Sequence, residues 1–214
     1  MRHSHFVRVV MLFFIFFLGG CVVHTYKKPV PNERTTDTAG LSELDAGPIS
    51  WHQGDWWRYS DDYALRVQNV VGELGTLVRQ DNTSDWVRRK GLFRDGSQSG
   101  NILRKVIYRS PNPKNFFPLE DGKSVTFKRE YLANKILRVH ETSWKVEGRE
   151  TIEVPAGTFN CWILIWNSKS LTSNWKGVEK WWYSPTVGNF VRMEFKYGDA
   201  PPSSRVLMSY KRRG

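Results

Sequence analysis

The chain has few cysteines and, beyond its first residues, no hydrophobic segment of any length. Its 214 residues include two cysteines, Cys21 and Cys161, and this excludes a disulfide-rich fold. The longest apolar run covers residues 9–18, about half of what an α-helix needs to cross a membrane. No later segment approaches roughly eighteen consecutive apolar residues, so the sequence excludes a chain of several membrane-spanning helices.

Sequence signatures of catalysis are missing as well. His52 and His140 do not stand at metal-ligand spacing with acidic residues. There is no glycine-rich phosphate loop and no G-x-S-x-G nucleophile elbow, and adjacent acids such as Asp61–Asp62 are typical of solvated turns. The sequence therefore predicts a protein that is not an enzyme and uses no cofactor and no metal. A hydrolase is the less favoured alternative.

The N-terminus carries the most specific signal in the chain. Basic residues Arg2 and Arg8 precede the apolar run, which ends in Leu18-Gly19-Gly20-Cys21. This arrangement resembles a bacterial lipoprotein signal peptide with its lipobox. The resemblance implies that residues 1–20 are removed and that Cys21 receives acyl chains such as palmitate, which anchor the protein to a membrane. An ordinary N-terminal anchor, or a signal peptide cut elsewhere, is the alternative.

The residue after the acylated cysteine bears on the choice of membrane. Position 22 is Val and not Asp. By the sorting rule of enteric lipoproteins, the resemblance implies the periplasmic face of the outer membrane. The inner membrane is the alternative, because the rule does not hold in every lineage.

The charge balance indicates which partners a protein in the envelope would meet. Net charge is +11, and removal of residues 1–20, which contain Arg2 and Arg8 and no acid, lowers it to +9. Anionic lipid, lipopolysaccharide, an acidic glycan or an envelope protein fits this charge, whereas nucleic acid is absent from that compartment. A solvated basic surface without a specific partner is the alternative, because the charges are scattered.

Composition divides the remaining chain into a tether and a folded domain. Residues 21–48 are rich in Thr, Pro, Asn, Asp and Gly, which predicts a flexible tether starting at Cys21. Residues 49–214 contain the aromatic and β-branched runs of a folded domain. With Cys21 acylated, Cys161 has no disulfide partner, and its place between Phe159 and Trp162 predicts a buried, inert thiol.

The domain has the pattern of antiparallel β structure. Short runs alternate polar with apolar residues, and Gly, Pro or Asn-Asp ends them about every ten residues. We predict an all-β fold with a curved antiparallel sheet, either a barrel or a sandwich. The Gly/Ser-rich residues 95–100 are predicted as a loop and Gly148 as a turn. A weak echo between residues 54–73 and 121–150 is compatible with two related β-meander halves.

Two motifs in the second half of the domain resemble a known family. Val154–Trp162 contains V-P-A-G-T-F, and Trp181–Arg192 contains W-Y-S-P-T-V-G. Together they resemble the paired signature of a family of bacterial periplasmic β-domains of unknown function, most clearly over residues 119–195. The family brings no catalytic residues to this chain. Pro155 and Gly157 in the first motif are typical of a tight strand connection.

Ten tryptophans supply the candidates for ligand contact. The pairs Trp56–Trp57 and Trp181–Trp182 place one ring on each face of a strand, so one ring of each pair can face solvent or a cavity. Exposed rings beside Arg and Lys can stack on sugars or cover acyl chains. The alternative is that these rings only fill a core.

These observations favour a membrane-anchored, non-enzymatic binding or assembly module for an envelope amphiphile, a glycan or a protein partner. That hypothesis predicts a continuous apolar cavity or an aromatic groove. A structural lipoprotein without a small ligand is the alternative, and it predicts a closed core.

Overall fold

The computed structural model describes residues 47–80, 84–109, 112–133 and 135–213. The predicted signal peptide, the predicted acylation site Cys21 and nearly all of the predicted tether lie outside these residues. Within the described residues, no helix is long and apolar enough to cross a membrane.

The structure is all-β, as the sequence predicts. Besides a short 3-10 helix at Pro113–Phe116, the regular elements of the described residues are twelve strands: β1 Trp56–Tyr59, β2 Ala64–Val71, β3 Leu74–Arg79, β4 Trp86–Lys90, β5 Phe93–Ser99, β6 Ile102–Tyr108, β7 Ser124–Ala133, β8 Ile136–Val154, β9 Gly157–Ser170, β10 Lys176–Ser184, β11 Asn189–Tyr197 and β12 Ser203–Lys211.

The strands form one closed antiparallel barrel. Each strand pairs with the next one along the chain, and β1 pairs with β12 to close the sheet. The predicted curved sheet is therefore a barrel and not a sandwich, built as one continuous meander. Closure leaves no free sheet edge and directs alternate side chains into the interior.

The hydrophobic alternation decides which residues enter the barrel. In β8 the inward side chains His140, Thr142, Trp144 and Val146 are buried, while their outward neighbours remain partly or fully exposed. A period of two is the geometry of a strand with one face on the core. The interior formed in this way is called the lumen below.

A plug of side chains fills one end of the lumen. This plugged end carries the β2–β3, β4–β5, β6–β7, β8–β9 and β10–β11 connections. Fully buried Trp57 donates its indole N–H to the Val187 carbonyl at 2.9 Å, and Trp51 donates to the Gly188 carbonyl at 2.8 Å. The Trp51 ring lies so close to Gly75 that a Cβ there would stand 2.5 Å from it. Phe116 of the 3-10 helix is fully buried and packs on Trp144.

Both family-like motifs form connections at the plugged end. Pro155 and Ala156 make the β8–β9 turn, and Gly157 has a φ of +131°. Gly188 closes the β10–β11 turn by donating its backbone N–H to the Ser184 carbonyl at 2.8 Å. The first motif thus forms the tight strand connection that Pro155 and Gly157 predict, and the second motif forms another.

Two local predictions were wrong. The predicted turn at Gly148 is a register shift inside the single long strand β8, because a glycine with a φ of +154° can accommodate a bulge as well as a turn. The predicted loop at residues 95–100 is mostly strand β5, where the ladder approaches closely. A Cβ at Gly96 would stand 3.0 Å from the Arg104 carbonyl oxygen.

Candidate ligand-binding cavity

A cavity of about 520 Å³ occupies the lumen beyond the plug. Its apolar floor near the plugged end is formed by Leu92 in the β4–β5 turn, Phe93 at the start of β5 and Phe190 near the start of β11. Tyr63, in the β1–β2 turn, and Trp175, in the β9–β10 connection, line its other end. That second end is called the open end. A volume of this size is typical of small-molecule sites.

Arginines dominate the charge of the cavity. Five of them line it: Arg89, Arg94, Arg104, Arg129 and Arg205. Arg89 is buried, and burial together with the nearby Arg94 guanidinium lowers its pKa. The same two causes lower the pKa of Arg129. An arginine stays charged even so, and the lumen therefore holds a concentrated positive charge.

Within the described ranges, several of these guanidinium groups have no carboxylate or hydrogen-bond acceptor as a partner. Among the described residues, no carboxylate lies within 4 Å of Arg89, Arg94, Arg104 or Arg129. The Nε atoms of Arg129 and Arg205 are buried, and no group in the described part of the chain accepts a hydrogen bond from either. Arg205 is held on its other side by Asp61, 2.8 Å from its guanidinium. Buried cationic donors without partners are costly, which makes them a mark of a site for an anion.

Glu179 is the one carboxylate among the described residues that line the cavity. It is buried, and one of its oxygens accepts the indole N–H of Trp181 at 2.7 Å while the other accepts the hydroxyl of Tyr197. Burial and the neighbouring Glu179 carboxylate raise the pKa of Tyr197. Both Glu179 oxygens are thus engaged by neutral donors, and this one negative charge is outnumbered by five positive ones.

Aromatic rings hold the arginines in place. The Arg129 guanidinium lies 5.3 Å from the Trp166 ring centre, and Arg89 lies 5.5 Å from the Trp181 ring centre. Such contacts stabilise a cation by about 0.5–2 kcal/mol without using its N–H donors. The donors therefore remain available to a ligand, while the ring faces offer apolar surface beside them.

A hydroxyl cluster surrounds His140 at the open end. Its Nδ1 lies 3.2 Å from the Ser168 hydroxyl, and its Nε2 lies 3.3 Å from the Tyr131 hydroxyl. Ser168 in turn lies 2.9 Å from the Thr142 hydroxyl. Burial, with Arg129 and Arg138 nearby, lowers the pKa of His140 to about 4. The ring is neutral at pH 7, and its partners are hydroxyls that a neutral imidazole can satisfy.

We expect His140 to make the protein less stable in mild acid. Its pKa is about 4 in the folded state and near 6.5 when unfolded, so between these values the unfolded chain binds more protons. Stability should therefore fall as the pH drops from about 6.5 towards 4, and the His140→Asn variant should lose less over that range. Melting temperatures of both proteins at pH 7 and pH 5 measure this. An identical drop in both would contradict the assignment.

The four tryptophans predicted as ligand contacts lie in different places. Trp181 lines the cavity. Trp57 is in the plug. Trp182 is on the outer face of β10, where Lys180 and Arg192 cover its ring and Glu150 accepts its indole N–H at 2.7 Å. Trp56 is half-buried on the outer face of β1. The structure therefore brings one of the four, Trp181, to the cavity.

Cys161 does not belong to the cavity. It is fully buried and free, as the sequence predicts, and burial together with the Glu150 carboxylate raises the pKa of its thiol to about 12. Among the described residues, no group of three or more His, Cys, Asp or Glu side chains could hold a metal ion.

The sequence did not single out the cavity arginines. Arg129 stands in the alternating run Val125, Phe127, Arg129, Tyr131, where the other members are apolar or aromatic. A charged residue in the core-facing register of a strand is the sequence signal that could have identified Arg129. For Arg89 the sequence signal is weaker. The register of β4 and β5 shifts between Arg88 and Arg89, and this interrupts the simple alternation of inward and outward side chains.

Comparison with known proteins shows what this chain is similar to. A family model described as DUF3108-like matches residues 114–204, a span that contains the predicted region of resemblance, 119–195. No curated protein matches.

A solved structure with a TM-score of 0.50 shares the fold, and two others are similar with lower scores. The hypothetical lipoprotein YmcC from Escherichia coli K12 is similar with a TM-score of 0.50 and 14% identity, over 72% of this chain and 82% of that one. A candidate lipoprotein from Parabacteroides distasonis has a TM-score of 0.40 and 18% identity, over 78% of this chain and 99% of that one. A candidate exported protein with a YmcC-like fold from Bacteroides fragilis has a TM-score of 0.42 and 13% identity, over 78% of this chain and 99% of that one. The similarity is to uncharacterised, lipoprotein-like proteins.

Proposed function

We propose that this protein is a non-enzymatic envelope lipoprotein whose lumen binds an anionic amphiphile. The observation that carries the proposal is the pair of arginines Arg129 and Arg205 in a cavity floored by apolar side chains, because among the described residues nothing accepts a hydrogen bond from the buried Nε atom of either one. A phosphate or carboxylate head group supplies acceptors for these donors. The acyl chain or ring system of the ligand packs against the apolar floor of the cavity.

The arrangement favours binding over catalysis. A general base needs a pKa near the working pH, and His140 is far more acidic than that. The thiol of Cys161 is buried and protonated. Arginines and tryptophans supply charge and stacking surface, which are the means of holding a ligand and not of transforming it.

The lipoprotein part of the proposal rests on the N-terminal sequence. Residues 18–21, Leu-Gly-Gly-Cys, match the lipobox pattern, and a protein that shares the fold is described as a hypothetical lipoprotein. Cleavage before Cys21 and acylation of that residue would tether the barrel to a membrane. Val22 supports the periplasmic face of the outer membrane.

Native mass spectrometry of the full-length protein tests the binding proposal. The protein is purified from bacterial membranes in dodecyl maltoside and titrated separately with dodecyl phosphate and with dodecanol. We expect one dodecyl phosphate per protein and much weaker retention of dodecanol, because only the former offers acceptors to the arginines. The same spectra give the mass of the N-terminal acyl modification.

Two outcomes would overturn the proposal. Equal retention of dodecyl phosphate and dodecanol would show that the arginines do not select the ligand. No retention of either would favour a structural lipoprotein without a small ligand.

A further inference from the structure

Exposed apolar side chains are concentrated at the open end of the barrel. Nine large apolar side chains are exposed among the described residues, and six of them lie in or beside the β5–β6, β7–β8 and β9–β10 connections. These six, each between 38% and 58% exposed, are called the mouth patch: Ile102, Leu103, Leu132, Ile136, Leu137 and Leu171.

The strand register makes the mouth patch contiguous. Leu132 pairs with Leu137 across β7 and β8, and Ile136 pairs with Ala133 one step nearer the tip. Leu103 precedes Arg104, which pairs with Ala133. Leu171 donates its backbone N–H to the Val139 carbonyl at 2.8 Å, two residues along β8 from Leu137. Leu132 and Leu137 thus share one face of the sheet, and the other members lie at neighbouring strand ends around the same rim of the open end.

Cations are interleaved with the mouth patch. Lys105 pairs with Leu132, Lys135 lies in the β7–β8 turn, and Arg138 follows Leu137. All three are exposed, and within the described part of the chain no carboxylate lies within 4 Å of any of them. The nearby acids Glu130 and Glu141 are paired with Arg109 and Lys169.

We propose that the mouth patch docks on an anionic lipid membrane. Apolar side chains at the tips of hairpins, with cations between them, match the acyl boundary and the negative head groups of such a surface. A second copy of the chain fits less well, because a symmetric contact would set the same cations of both copies face to face. The core of a protein–protein interface is also depleted in lysine.

The docked orientation gives the cavity access to lipid. The patch and the cavity mouth share the open end, so a docked barrel presents its lumen to the membrane surface. This consequence rests on the proposed function, whereas docking itself depends on the outer surface alone. The two are therefore separable by experiment.

A fluorescent probe on the patch tests the docking. The full-length protein carries Leu137→Cys labelled with the environment-sensitive dye NBD, while Cys161, which is buried, and Cys21, which the proposed acylation blocks, stay unlabelled. Val71→Cys, an exposed apolar position at the plugged end, is the matched control. Each protein is reconstituted in phosphatidylcholine vesicles, with or without phosphatidylglycerol, that contain acyl-brominated lipid.

We expect the fluorescence emission of NBD at Leu137→Cys to shift to the blue. Brominated lipid should quench it several-fold more than the emission of NBD at Val71→Cys, in the anionic vesicles above all. Added salt and the double variant Lys105→Glu, Arg138→Glu should reduce the quenching, whereas Arg58→Glu, Arg66→Glu should not. Equal quenching at both positions would overturn the proposal. A blue shift that depends on protein density and not on brominated lipid would assign the patch to a second copy. Binding of dodecyl phosphate by the same labelled protein reports separately on the lumen.

Discussion

Replacing Arg129 and Arg205 together by methionine should weaken binding of dodecyl phosphate by about a hundredfold or more. The guanidinium group of each arginine lines the cavity, and a hydrogen bond to a charged group contributes about 1.5–3 kcal/mol. Methionine keeps most of the side-chain volume and removes the charge. Titration by native mass spectrometry or calorimetry measures the change, and dodecanol retention should stay nearly constant.

Two further variants serve as controls for this prediction. Arg66→Met removes an exposed outward arginine and should leave the affinity unchanged. Glu179→Gln removes the negative charge from the cavity lining and should strengthen binding of dodecyl phosphate. Equal losses of affinity in Arg66→Met and in the double variant would mean that the overall charge of the protein, and not the arginines of the lumen, determines binding.

Replacing Trp57 by alanine should destabilise the fold by about 3–5 kcal/mol, the usual range for truncating a large buried aromatic residue. Trp57 is fully buried in the plug, and its loss also leaves the Val187 carbonyl without its indole donor. Urea unfolding of the full-length protein, followed by far-ultraviolet circular dichroism, measures the change in the midpoint.

The adjacent tryptophan supplies the control for that variant. Trp56 points to the outer face of the same strand and is half-buried, so Trp56→Ala should cost about 1 kcal/mol or less. Similar losses at the two positions would contradict the assignment of Trp57 to the plug.

Much of the fold could be predicted from the sequence, because strand alternation is a local property. Val125, Phe127, Arg129 and Tyr131 share one face of β7, and the structure directs all four inward. The choice of barrel over sandwich could not be predicted in the same way. It depends on the pairing of β1 with β12, a contact between the two ends of the domain that no local pattern encodes.

The local errors arise from the double role of glycine. Gly148 permits a bulge inside a strand as readily as a turn between strands. Gly96 lies in a strand where the neighbouring backbone approaches too closely for a side chain. Sequence shows that a small residue is present, whereas the register of the neighbouring strands decides what it does.

The site was less predictable than the fold. Adjacent tryptophans do place one ring on each face of a strand, yet this pattern does not distinguish the plug, which holds Trp57, from the cavity, which holds Trp181. The arginines become a site only through closure, which brings Arg89, Arg129 and Arg205 from β4, β7 and β12 into one lumen. Their shared interior is a property of the whole barrel.

A crystal structure of the protein with an ω-brominated dodecyl phosphate would show whether the lumen binds an anionic amphiphile. We expect an anomalous bromine peak beside the apolar floor near Phe93, with the phosphate within hydrogen-bond distance of the guanidinium groups of Arg129 and Arg205. Bromine peaks confined to the outside of the barrel, with the lumen unchanged, would contradict it.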